Sequence, residues 1–187
     1  MNSPRILIVD DSAVMRTSLA RMVAPVTTDV VLAANGEEGL KAVLTDEIDL
    51  IISDVVMPNI DGIELCRRLK NEPSVRAKPV ILLSSFDSDS DIERGFRAGA
   101  TAYLSKTEGS QKILDTVQKV LTTSRRQRNQ SILVVDDSKA IRKLVSASLE
   151  AEGFFVHQAN NGSEALKLFD EIHPDLIISD IEMPVLN

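Results

Sequence analysis

The hexapeptide Asp-Leu-Ile-Ile-Ser-Asp occurs twice in this chain, at Asp49–Asp54 and letter for letter at Asp175–Asp180. Three more pairs keep the same spacing. Arg5–Ser12, RILIVDDS, matches Ser131–Ser138, SILVVDDS; Asn35-Gly36 matches Asn161-Gly162; and Met57-Pro58 matches Met183-Pro184. Every pair is offset by 126 residues without a gap. Chance does not hold one offset across four motifs, so the chain is a tandem duplication and must fold as two versions of one unit.

The first copy alternates short apolar runs with amphipathic helical stretches. Strands are expected at Arg5–Asp10, Asp29–Ala33, Leu50–Asp54, Val80–Ser84 and Ala102–Ser105. Helical periodicity lies between them, near Ala13–Val23, Glu37–Thr45, Ile63–Asn71, Asp89–Ala98 and Gly109–Thr122. Near-continuous apolar strands such as Ile6–Val9 and Val80–Leu83 suit a parallel sheet covered on both faces. The expectation is an α/β fold with a doubly wound five-stranded parallel sheet, followed by the first half of a second such domain. We place the complete unit at residues 1–123, a linker or helix extension at 124–130, and the N-terminal half of the second unit at 131–187. That second copy reaches only its third strand before Asn187. It is therefore expected to expose Leu176–Asp180 at a sheet edge, unless the chain is a fragment or something else covers that edge.

Composition removes several classes. No apolar run reaches the roughly 20 residues needed to cross a bilayer, and Met1–Pro4 leads straight into a strand without an apolar signal segment, so a cytoplasmic location is expected. Net charge is −7, and the one basic concentration, Arg125, Arg126 and Arg128, reads as a solvated linker rather than a nucleic-acid site. Cys66 is the single cysteine and falls in an apolar helical pattern, as a small core residue does. His157 and His173 have no partners at zinc-ligand spacing.

In open parallel sheets ligands bind beyond the carboxyl ends of the strands. Asp10 and Asp11 end the first strand and Asp54 the third, and those strands are neighbours in this type of sheet. Three converging carboxylates repel one another unless a cation is present or a proton is retained. An oxygen-only set fits Mg²⁺ or another hard divalent ion. Asp also serves as a turn and cap residue, which would account for Asp11 alone but not for Asp-Asp-Ser plus a third-strand Asp in both copies. Ser84, ending the fourth strand, and Lys106, following the fifth, reach the same rim. Singly they read as a core hydroxyl and a solvated lysine; beside the acidic cluster they could orient and neutralise phosphoryl oxygens.

This motif set resembles the receiver domains of bacterial two-component response regulators: Asp-Asp-Ser after strand one, Asp-x-x-Met-Pro after strand three, a strand-four hydroxyl and a lysine after strand five. The resemblance covers Arg5 to about Thr122 in full and Ser131 to Asn187 in part. It implies that Asp54 accepts a phosphoryl group from a histidine kinase, a phosphotransfer protein or a small phosphodonor. It further implies that Asp10, Asp11, Asp54 and the main-chain carbonyl of Val56 hold Mg²⁺, and that Ser84 and Lys106 contact the phosphoryl oxygens. Tyr103 matches the family's switch aromatic, which turns inward as the hydroxyl moves and reshapes the face made by helix four, strand five and helix five. A half-buried packing role is the other reading of Tyr103. Homodimerisation through that face, packing of the second receiver on the first, and an output such as a GGDEF diguanylate cyclase are further implications.

The chain departs from the family in places. Thr107 follows Lys106 where proline is usual. Val56 and Phe86 are apolar where hydrolytic water approaches, so slow self-dephosphorylation is expected. In the second copy Asp136, Asp137 and Asp180 repeat the acidic cluster, Glu182 replaces Val56, and the phosphorylation of Asp180 is left open. Two rivals remain. A haloacid-dehalogenase-type phosphatase needs a second acid two residues after a first-strand nucleophile, which Asp10-Asp11-Ser12 does not supply. A non-catalytic tandem receiver scaffold for dimerisation is the other.

Overall fold

The structure is a computed structural model that describes residues 3–85 and 88–183, with the backbone alone at 126–129. The chain divides into two compact units, Met1–Thr122 and Thr123–Asn187. The first unit alternates strand and helix: β1 Ile6–Val9, α1 Ala13–Val23, β2 Val30–Ala33, α2 Gly36–Thr45, β3 Leu50–Asp54, α3 Gly62–Asn71, β4 Val80–Ser84, α4 Asp89–Arg97, β5 Ala102–Ser105 and α5 Ser110–Asn129. All neighbouring strands pair in parallel, in the order β2-β1-β3-β4-β5. This is the flavodoxin-like doubly wound sheet expected from the sequence, and its order reverses between β1 and β3.

Alternation along the strands sends side chains to two separate cores. Leu7, Val9, Ile51 and Leu82 meet Leu65, Cys66 and Leu69 on one face of the sheet. Ile6, Ile8, Leu50, Ile52, Ile81 and Leu83 meet Leu19, Val23, Ile113, Val117 and Leu121 on the other. Cys66 is buried in the first of these, and burial pushes its thiol up to about 11, so it behaves as a packing residue.

Helix starts follow from local chemistry. The Asn35 side chain accepts from the Glu38 amide at 2.9 Å while the Glu38 carboxylate accepts from the Ala34 amide at 2.8 Å. Asp61 caps α3 by accepting from the Glu64 amide at 2.7 Å, and Ser12 caps α1 through the Met15 amide at 3.3 Å. These caps draw α2 and α3 back to Gly36 and Gly62, one residue before the periodicity alone suggests. Helix α5 runs past Thr122 to Asn129, the helix-extension alternative for this stretch. The polar, arginine-bearing stretch after Thr122 contains no helix-breaking Gly or Pro before Ser131.

The second unit contains β6 Ser131–Val135, α6 Lys139–Ala151, β7 Phe155–Ala159, α7 Gly162–Ile172 and β8 Leu176–Ser179. Its three parallel strands run β7-β6-β8, the counterpart of β2-β1-β3. Leu133, Val135, Ala159 and Met183 form a small core with Ala165 and Leu168. Strand β8 is an edge strand, and Leu176, Ile177 and Ile178 are 52%, 44% and 38% exposed. In the first unit the same three letters, Leu50, Ile51 and Ile52, are wholly buried between β1 and β4.

Candidate functional site

The carboxyl ends of β1 and β3 bring Asp10, Asp11 and Asp54 together, with one carboxylate oxygen from each lying within 4.8 Å of the others. Strand register sets this up, because Val9 pairs with Ser53 and each strand delivers its acid one residue further on. Asp10 is fully buried and Asp54 is 6% exposed, while Asp11 faces solvent.

Each buried acid is held on both oxygens. Asp10 accepts from the Ser12 amide at 2.8 Å on Oδ1 and from Lys106 Nζ at 2.8 Å on Oδ2. Asp54 accepts from the Val56 amide at 3.3 Å on Oδ1 and pairs with Lys106 Nζ at 2.8 Å on Oδ2. Lys106, in the loop after β5, thus bridges two carboxylates at the same rim, and its amide donates to the Ser84 carbonyl at 2.7 Å. Thr107, standing where proline is usual, is tied into the same loop by a 2.8 Å hydroxyl contact with Ser105.

Burial pushes the Asp54 carboxyl above its ordinary value, and the Lys106 ammonium only partly draws it back. For Lys106 burial acts against the charge, but its bonds to Asp10 and Asp54 outweigh that and raise its pKa. One cation cannot balance three converging acids. Among the described residues the Asp11 carboxylate has no hydrogen bond or ion pair. An all-oxygen set with an unused acid at a solvent-facing mouth fits a hard divalent cation.

Ser84 ends β4 one residue beyond Leu83, the register partner of Asp54, and is 1% exposed. It lines a cleft of about 340 Å³ with Val55, Val56, Met57, Ile63 and Arg94. Val56 stands at the mouth, 59% exposed. Phe86 lies outside the described residues, as does Pro184. Tyr103 on β5 is half-buried, and its ring sits against Gly95 of α4, where an added Cβ would come within 2.8 Å of the ring.

Two site residues escaped the sequence reading. Gly62 opens α3 directly beneath the site, and any Cβ there would overlap the main-chain carbonyl of Asp54. Arg16 reaches back from α1 to the carbonyl of Asp10 at 2.6 Å and that of Asp11 at 3.2 Å. The repeat held a signal for the arginine, since Arg142 stands at the same offset.

The second unit builds the acidic half of the same arrangement. Carboxylate oxygens of Asp136, Asp137 and Asp180 also lie within 4.8 Å of one another. The Asp136 Oδ1 accepts from the Ser138 amide at 2.7 Å, and the Glu182 amide lies 3.3 Å from Asp180 Oδ1, as the Val56 amide does from Asp54. Asp180 is exposed where Asp54 is buried, and Glu182 is exposed as well. Among the described residues no lysine is paired with either Asp136 or Asp180.

Known proteins resemble this chain in sequence and in fold. The family model for the response regulator receiver domain matches residues 6–118 and again 132–187. The chain is 44% identical over 110 residues to a gliding motility regulatory protein of Myxococcus xanthus, covering 59% of this chain and 14% of that protein. It is 33% identical over 139 residues to the transcriptional regulatory protein AfsQ1 of Streptomyces coelicolor, covering 72% of this chain and 60% of that one. Among solved structures, the chemotaxis protein CheY4 of Vibrio cholerae superposes with a TM-score of 0.60 at 29% identity, over 64% of this chain and 99% of that chain. The chain therefore belongs to the response regulator receiver family of two-component signalling, with the family pattern present twice. It spans less than two thirds of the length of each of these two curated relatives. No described helix is long and apolar enough to cross a membrane.

Proposed function

We propose that the first unit, over 1–123, is a phosphoacceptor receiver in which Asp54 takes a phosphoryl group from a histidine kinase or phosphotransfer protein. The observation that carries this reading is Lys106 Nζ, 2.8 Å from both Asp10 and Asp54. It places a cation where oxygens of a phosphorylated Asp54 need one. An oxygen of Asp54 forms the new bond to phosphorus as the bond to the donor's imidazole nitrogen breaks, and the released imidazole takes up a proton. Asp10, Asp11, Asp54 and the Val56 carbonyl would hold Mg²⁺, whose charge neutralises the transferring phosphoryl group. Lys106 and Ser84 then contact the phosphoryl oxygens, and apolar Val56 at the mouth slows attack by water.

Movement of Ser84 toward the phosphoryl group frees space for Tyr103, and the α4-β5-α5 face changes in consequence. That face is the surface we assign to homodimerisation. The second unit, over 131–187, contributes Asp136, Asp137, Asp180 and Glu182 as a metal-binding half-site, and its packing on the first unit is the second candidate output of the switch. The output class we assign to this switch is an effector such as a GGDEF diguanylate cyclase, in a cytoplasmic regulator.

Tyr103 is the only tyrosine and the chain has no tryptophan, so intrinsic tyrosine fluorescence reports on this one ring. Beryllofluoride, a stand-in for a phosphoryl group on a carboxylate, should change that fluorescence only when Mg²⁺ is present. A non-catalytic scaffold would show no Mg²⁺-dependent change.

A further inference from the structure

The clusters in the two units share a contact that neither the lysine nor the hydroxyl explains. Arg16 Nη1 lies 2.6 Å from the carbonyl oxygen of Asp10 and 3.2 Å from that of Asp11. Arg142 Nη1 lies 2.6 Å from the carbonyl of Asp136 and 3.2 Å from that of Asp137. Each arginine is half-buried on the first turns of its helix and folds back over the strand-to-helix turn. The surroundings differ: Asp10 is bonded to Lys106, whereas Asp136 has no lysine partner among the described residues. The arginine contact therefore does not depend on the phosphoryl half of the pocket.

Main-chain position matters most for Asp11. Asp10 is fixed by its own carboxylate, through the Ser12 amide and Lys106, but the Asp11 carboxylate has no partner among the described residues. Its place beside Asp10 and Asp54 is set by the backbone that carries it, and Arg16 bonds the carbonyls of the two peptide groups that flank the Asp11 α-carbon. Both bonds come from one nitrogen, Nη1, which carries two N–H groups to share between the two carbonyls.

We infer that Arg16, and Arg142 in the second unit, are positioning residues that clamp the Asp-Asp turn and so preset the acidic cluster for a divalent cation. The inference rests on the metal reading given above. The guanidinium touches neither cation nor phosphoryl group. It acts by holding two acids in a geometry they would otherwise leave through mutual repulsion. Groups that orient metal ligands in this way typically change affinity about 10–100-fold when removed.

The test is calorimetric titration of the full chain with Mg²⁺, in a background carrying Asp137→Asn and Asp180→Asn to silence the second cluster. Arg16→Met should raise the Mg²⁺ Kd at least about tenfold, and Arg16→Lys should recover part of that loss. Arg142→Met should leave this site's Kd unchanged. Thermal unfolding in chelator is measured alongside. A lowered midpoint with wild-type Kd would reduce the arginine to a helix-packing role and overturn the inference, as would a wild-type Kd with no change in midpoint. Should Arg16→Met not fold, Arg16→Lys decides: a Kd raised severalfold supports the clamp, and an unchanged one overturns it. Absence of Mg²⁺ binding in the background protein itself overturns the metal reading and the clamp with it.

Discussion

Gly62→Val should abolish phosphorylation of the first unit and lower its stability by roughly 3 kcal/mol or more. Overpacking a core ordinarily costs about 1–3 kcal/mol because side chains can yield. At Gly62 the obstacle is the backbone: a Cβ would overlap the carbonyl of Asp54, which also accepts from the Ser53 hydroxyl at 3.0 Å. The Gly62 amide meanwhile donates to the Val55 carbonyl at 3.0 Å, so α3 cannot back away without breaking the turn that follows the phosphoacceptor. Relief has to come from movement of β3, and β3 carries Asp54. Urea unfolding and phosphorylation by a small acyl-phosphate donor check both halves of the prediction. A variant with the wild-type unfolding midpoint would show that α3 adjusts more freely than this packing allows.

Lys106→Met should slow phosphorylation on the order of 100-fold, the usual cost of removing a group aimed at developing charge. It should also cost about 3–5 kcal/mol of stability in metal-free protein, because the change leaves Asp10 and Asp54 buried without their cation. The pH dependence has a definite sign. Burial already raises the Asp54 pKa in the folded state, and loss of the lysine raises it further. Between the unfolded and folded values the folded state binds more protons, so stability falls as pH rises through that window. The deficit of Lys106→Met should therefore shrink on acidification and, at neutral pH, on addition of Mg²⁺. In the unsubstituted protein the raised Lys106 pKa means that its own contribution is full below the ordinary lysine value and is lost as pH climbs through the higher folded one. Denaturant melts across pH, with and without Mg²⁺, read all of these trends. A deficit that grows on acidification would contradict them.

Much of this architecture is written in the sequence, because the duplication shows which features are shared by both units and the apolar strand runs fix a parallel sheet. Bounds for β3, β4, β5 and α1 match the periodicity residue for residue. Strand ends brought Asp10, Asp11 and Asp54 to one rim by topology alone, since β1 and β3 are neighbours in a doubly wound sheet. What escaped depends on atoms rather than pattern. Gly62 matters through the absence of one carbon beside a carbonyl, and Arg16 through how far its side chain folds back over its own helix. The two copies of Asp-Leu-Ile-Ile-Ser-Asp make the same point about burial: identical letters are wholly enclosed in β3 and exposed in β8. Local sequence sets the strand, and its neighbours set the environment.

The central claim is that Asp54 is the phosphoacceptor, and mass spectrometry of the intact chain after incubation with donor and Mg²⁺ tests it most directly. The wild type should gain one phosphoryl group that maps to Asp54, and Asp54→Ala should lose it. An Asp54→Ala protein that still carries the full increment at the first unit would contradict the account.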